Sequence, residues 1–125
     1  MIKGPGLGAN VDKYKNNLQQ ILNNRKISNN LDEFLKNRNK NFNYTVWNNK
    51  LVGFAFLKPN KNILNLQLIV TQKGYGKQLM NRIKLNSKNK FKSIELVSLP
   101  AARNFYKKQR FVPNGNHKFK FDLKK

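Results

Sequence analysis

Residues 62–83, "NILNLQLIVTQKGYGKQLMNRI", change their period halfway along, and this change constrains the fold more than any other feature of the chain. Leu64, Leu66, Leu68 and Val70 alternate with polar or paired neighbours, the period-two pattern of a strand. From about Tyr75 to Asn89 the spacing becomes helical, with Leu79, Met80 and Ile83 on one side. Two glycines, Gly74 and Gly76, stand at the junction. A strand that feeds a helix directly returns the chain to a parallel partner. The next apolar run, "FKSIELVSL", supplies that partner. In an open α/β sheet a ligand sits beyond the carboxyl ends of such strands, which is where the glycines lie.

The rest of the chain completes one domain. "GPGLGAN" at residues 4–10 reads as a flexible lead, so residues 1–10 are set apart and the folded domain is assigned to 11–125. Val11, Tyr14, Leu18, Ile21 and Leu22 form a helical stripe. Asn30 before "LDEFLKN", with Glu33 three residues on, has the pattern of a capped second helix that buries Leu31, Phe34 and Leu35. Phe42, Tyr44 and Val46 then alternate, Asn48-Asn49 turns the chain, and "KLVGFAFLK" forms a second strand. After "FKSIELVSL" come a short helix opened by Pro100 and a last alternating strand, "KFKFDL". The order α-α-β-β-β-α-β-α-β predicts an α/β (α+β) domain with a mixed central β-sheet and helices on both faces.

Composition removes several function classes. With no cysteine, disulfides, thiolate metal sites and a cysteine nucleophile are out, and the single His117 has no second imidazole for a zinc site. No apolar run approaches 18 residues and the N-terminus lacks an apolar signal core, so the expected location is intracellular, cytoplasmic or nuclear. The charge is extreme: 26 Lys and Arg oppose 5 Asp and Glu, a formal +21. A-rich codons explain the abundant Lys and Asn but not the scarcity of acids. The field points to a polyanionic partner, a nucleic acid, a phosphorylated cofactor or an acidic protein surface.

Gly74 and Gly76 have two readings. Glycine commonly serves the geometry of a strand-to-helix turn and nothing more. It also lets backbone N–H groups at a helix N-terminus approach phosphate oxygens, and Lys73 and Lys77 add charge on either side. The spacing differs from a P-loop, which needs four residues between its glycines and Ser or Thr after the Lys.

Taken in order, the hairpin "KLVGFAFL", the loop "KGYGKQLM" and the pattern AxxFYxxxxF in "AARNFYKKQRF" resemble the GNAT superfamily of acyl-CoA-dependent N-acyltransferases, over residues of about 11 to 123. The resemblance implies acetyl-CoA as the acyl donor and a primary amine as acceptor. It places the backbone of Leu68, Ile69 and Val70 along the pantetheine arm of coenzyme A. Lys73, Gly74, Tyr75, Gly76 and Lys77 would surround its pyrophosphate. It makes Tyr106 the proton donor to the departing thiolate, and a phenol of pKa near ~10 is protonated for that task at neutral pH. The sequence departs from the family pattern at three places. Only Thr71, Gln72 and Lys73 separate Val70 from the first glycine. Arg110 replaces the usual glycine before the final Phe. "NILNLQLIV" carries no carboxylate, leaving Glu95 as the best candidate for a base, with Asn65 and Gln67 able to orient a water. A rival reading keeps the fold without the chemistry, as a basic structural subunit of a nucleoprotein assembly such as a ribosome-like particle or a virion.

Overall fold

The computed structural model describes residues 1–6, 15–24 and 42–124. Its elements are β1 (Ile2–Gly6), α1 (Lys15–Asn24), β2 (Phe42–Trp47), β3 (Leu51–Asn60), β4 (Ile63–Thr71), α2 (Gly76–Ser87), β5 (Ser93–Val97), α3 (Arg103–Lys108), β6 (Val112–Pro113) and β7 (Lys118–Asp122). The strands make one sheet in the order β1-β2-β3-β4-β5-β7-β6. Only β4 and β5 run parallel; every other pair is antiparallel. The predicted mixed sheet and its one parallel pair are therefore present. Two strands were not anticipated. Ile2–Gly6, inside the segment read as a lead, pairs with β2, and the two-residue β6 closes the far edge. The expected second helix at 31–37 and the residues Val11 and Tyr14 lie outside the described residues.

Helices cover both faces of the sheet. On one face Leu18, Ile21 and Leu22 of α1 pack on Leu51, Phe54, Phe56 and Val70. These three side chains are at most 3% exposed, and each stabilises the docked helix by about 2 kcal/mol. On the other face Leu79, Met80 and Ile83 of α2 and Tyr106 of α3 join Ala55, Leu57, Leu64, Leu66, Ile94, Leu96 and Phe119. The central strand β3 is accordingly buried from Leu51 to Leu57 without a break, as a strand covered on both faces must be.

Pro100 opens a single 3-10 turn, Pro100–Ala102, that leads into α3. At the end of α3, Arg110 has φ +69. The left-handed helix end usual for glycine is thus retained by arginine, at a cost of about 1–2 kcal/mol. Lys84 of α2 donates from Nζ to the Gln109 carbonyl and sits 4.0 Å from the Phe121 ring centroid, which anchors this terminus from the neighbouring helix.

Candidate active site

Strand β4 carries one residue too many for its partner. From Gly53↔Thr71 to Phe56↔Leu68 the register with β3 is constant, but the next pair is Leu57↔Leu66. Gln67 is the extra residue, a β-bulge. Its effect on side chains is large. Leu64 and Leu66 face α2, whereas Leu68 and Val70 face α1. The sequence reading had set all four on one uninterrupted alternation, and the bulge corrects it: one inserted residue reverses every side chain beyond it.

The bulge also ends the parallel pairing. β4 and β5 pair from Ile63↔Ser93 to Leu66↔Leu96 and no further. Beyond that point β5 stays with β7 through Val97↔Lys118, and Ser98 donates its N–H to the His117 carbonyl. Residues 67–71 stay with β3. The two strands part, and Leu68, Ile69 and Val70 present one backbone edge with no strand against it. Unpaired N–H and C=O groups on such an edge are a template for an extended ligand with amides of its own.

The opening leads to the glycine turn. Gly74 has φ +98 and open space where a Cβ would stand, so its glycine is dictated by backbone conformation. Gly76 is different. A Cβ there would lie 3.0 Å from Cε1 of Phe105 and 3.2 Å from Cζ, so this glycine lets the α3 ring pack against the first turn of α2. The two glycines therefore have separate causes, one of conformation and one of contact. Tyr75, at the N-cap, makes no side-chain cap. Its hydroxyl accepts a 2.6 Å hydrogen bond from Nδ2 of Asn48, which draws the ring toward the sheet. The first N–H groups of α2 are left without intrahelical partners, and Lys73 and Lys77 flank them, both exposed.

Tyr106 lies in the core beneath the sheet, 7% exposed, among the rings of Phe105, Phe111 and Phe119. Burial pushes its phenol up to about 12. Its hydroxyl makes no hydrogen bond within the described residues, yet it is not among the fully buried polar atoms left unsatisfied, so it retains a trace of access.

Glu95 lies on the other face. Ile94 and Leu96 point toward α2 and α3, so by alternation the side chain between them points away from Tyr106. It borders a groove of about 370 Å³ with Asn65, Gln67, Val97 and Lys118. Ser93 Oγ donates to its Oε2 at 3.3 Å. The structure thus brings Leu68, Ile69 and Val70 and the glycine turn to one end of the sheet. It sets Tyr106 and Glu95 on opposite faces rather than side by side. Lys118, which the sequence reading left out, pairs with Val97 in the β5–β7 register and so lines the same groove as Glu95, a placement with no local sequence signal. His117, beside it, is exposed. No cluster of metal-ligating side chains occurs among the described residues.

The profile of an acetyltransferase (GNAT) domain matches residues 10–122. No curated protein matches the sequence significantly. In three dimensions the chain is similar to a GNAT-family acetyltransferase from Staphylococcus aureus, at 20% identity, TM-score 0.75 and 99% coverage of both chains. It is also similar to a ribosomal-protein-alanine N-acetyltransferase from Escherichia coli, at 15% identity and TM-score 0.77, covering 98% of this chain and 94% of that one. A third likeness is to N-acetylglutamate synthase from Neisseria gonorrhoeae, solved with coenzyme A and N-acetyl-glutamate. There identity is 10% and TM-score 0.74, with 100% of this chain and 35% of that one covered. At such identities the likeness concerns the fold.

Proposed function

The chain belongs to the acetyltransferase (GNAT) domain family, and on that premise we propose that it transfers an acetyl group from acetyl-CoA directly to a primary amine. The observation that carries the reading is the parting of β4 and β5 at the Gln67 bulge, directly before the glycine turn. Bound acetyl-CoA supplies the activated thioester. The residues present suit such a guest. The free edge of Leu68, Ile69 and Val70 matches the amides of a pantetheine arm. Lys73, Gly74, Tyr75, Gly76 and Lys77, with the uncapped N–H groups of α2, match a diphosphate.

The protein's part in the reaction is positioning and proton management. The two strands hold the thioester in the gap, and a backbone N–H near Val70 donates to the carbonyl oxygen under attack. The acceptor approaches over the face that carries Glu95, which takes the ammonium proton directly or through a water held by Asn65 or Gln67. The new C–N bond forms as the C–S bond breaks, and the sulfur departs toward the face that holds Tyr106. At a pKa of about 12 this phenol is a weaker acid than a thiol near ~8.5. Outright proton loss would cost roughly 5 kcal/mol. Tyr106 therefore donates a hydrogen bond to the leaving sulfur and releases its proton only as solvent replaces it.

Thermal unfolding with acetyl-CoA, beside ATP as a polyanion control, tests the proposal. Ligand at about 100 times its Kd adds roughly 2.7 kcal/mol, several degrees for a domain of this size. The expected result is a shift with acetyl-CoA well beyond that with ATP. Equal shifts, or none, would remove the reading.

A further inference from the structure

Three charged side chains share one face of β5 and β7, and they do not neutralise one another. Glu95 lies directly across from Lys120, and Lys118 lies across from Val97 two pairs further on, on the same face. Cross-strand neighbours of opposite charge ordinarily close into an ion pair. Among the described residues Ser93 is the only hydrogen-bond partner of the Glu95 carboxylate, and neither the Lys118 nor the Lys120 ammonium has an ion-pair or hydrogen-bond partner. The nearby Asp122 is occupied elsewhere, accepting from the Lys124 backbone N–H at 2.9 Å. Glu95 and Lys118 both line the 370 Å³ groove, together with the amides of Asn65 and Gln67. Within the described residues this groove thus offers one carboxylate and one ammonium at its wall, and a second ammonium, that of Lys120, on the residue directly across from the carboxylate.

Such a wall suits a small molecule that carries both charges. We propose that the acceptor is a primary amine bearing an anionic group a few bonds away, a carboxylate or a phosphate. Glu95 receives the ammonium end, and Lys118 and Lys120 receive the anionic end. The inference rests on the transferase reading above and deepens it to a substrate class. A second, independent observation agrees with it. A molecule of net charge +21 repels polycationic amines from its whole surface, while an anionic substituent converts that repulsion into attraction. A single carboxylate at the groove cannot reverse the field for a free polyamine. An acceptor with its own negative charge needs no such reversal.

The test compares matched amines that differ only in the anionic group: glycine against glycinamide, and O-phosphoethanolamine against ethanolamine, with spermidine as a polycation. Acetyl-CoA binding is scored first and separately by thermal shift. Turnover is followed as thiol release. In parallel, backbone amide resonances of residues 118–120 are followed by NMR in the protein without acetyl-CoA. The expected result is a preference of about tenfold in kcat/KM for at least one anionic member of a pair, the scale of one charge-assisted hydrogen bond. K118Q and K120Q should remove that preference while leaving the acetyl-CoA shift in place, and the amide resonances should move with the anionic amine and not with its neutral twin. If acetyl-CoA binds but neutral amines or spermidine serve as well or better, or no amine of either kind turns over, the inference falls alone. If acetyl-CoA does not bind, the transferase reading falls and takes this inference with it.

Discussion

The hydroxyl of Tyr106 lies among aromatic rings, and what it can do follows from that burial. On the proposed mechanism Y106F deletes a hydrogen bond to the departing sulfur and little else, so kcat should fall about 10²-fold, the low end for proton-transfer catalysis, with KM for acetyl-CoA nearly unchanged. Steady-state kinetics of thiol release checks this. The same burial has a stability signature. Below pH ~10 the phenol is neutral in both the folded and the unfolded chain, and it contributes no pH dependence. Between pH 10 and 12 the unfolded tyrosine ionises while the folded one, at about 12, does not. The wild type should therefore lose roughly 2–3 kcal/mol across that window which Y106F keeps, a difference visible in paired thermal melts. Arg110 supplies a second expectation of opposite sign. At φ +69 it occupies a glycine conformation, so R110G should raise the urea midpoint by about 0.5–1 kcal/mol of stability. The short helix that carries Tyr106 was legible because it stands inside a local pattern, whereas arginine in place of glycine at residue 110 pointed to a changed helix end and the left-handed one is kept. The meeting of Lys118 and Glu95 at one groove was not legible, because it is made only by strands that pair from distant parts of the chain.

At the scale of elements, the strand-turn-helix unit was readable from its periods, but its central device was not. Leu64, Leu66, Leu68 and Val70 keep a perfect alternation in the sequence while the chain reverses its faces between Leu66 and Leu68. A bulge leaves no trace when apolar residues are wanted on both faces, as they are in a strand covered by helices on each side. Ile69, apolar among apolar neighbours, is the residue that profits: it packs toward α2 only because the parity has changed. The glycine turn was readable as a turn, yet its two glycines looked equivalent and are not. G74A introduces no contact and strains only the backbone, so it should cost about 1–2 kcal/mol that no second substitution restores. G76V drives its side chain into Phe105 and should cost a similar 1–3 kcal/mol, but F105L in the same chain should recover part of it. A double-mutant cycle in urea separates the cases: coupling well above 0.5 kcal/mol for the Gly76–Phe105 pair, and none for Gly74 with Phe105.

Charge belongs to the whole molecule, and it acts on stability and binding with opposite sign. Like charges at +21 repel one another in the compact state, so screening them should stabilise the fold. The same screening weakens the attraction for any phosphate ligand. Adding NaCl from about 0.05 M to 0.5 M, which shortens the Debye length from roughly 14 to 4 Å, should therefore raise the Tm of the free protein while reducing the affinity for polyanions. The decisive comparison is how much affinity survives. A surface that holds phosphates by charge alone treats ATP and acetyl-CoA alike and releases both. On the proposed reading the gap between β4 and β5 adds backbone pairing along Leu68, Ile69 and Val70 that salt does not screen. Acetyl-CoA should accordingly remain bound at 0.5 M NaCl, where ATP is lost. The large apolar side chains most exposed on the described surface, Met1, Leu85, Val97, Leu99 and Val112, are all aliphatic. Titration calorimetry at both salt concentrations measures the two slopes. A shallow slope for acetyl-CoA beside a steep one for ATP assigns the charge to recruitment and the strand gap to recognition; equal slopes would leave the gap without a ligand of its own.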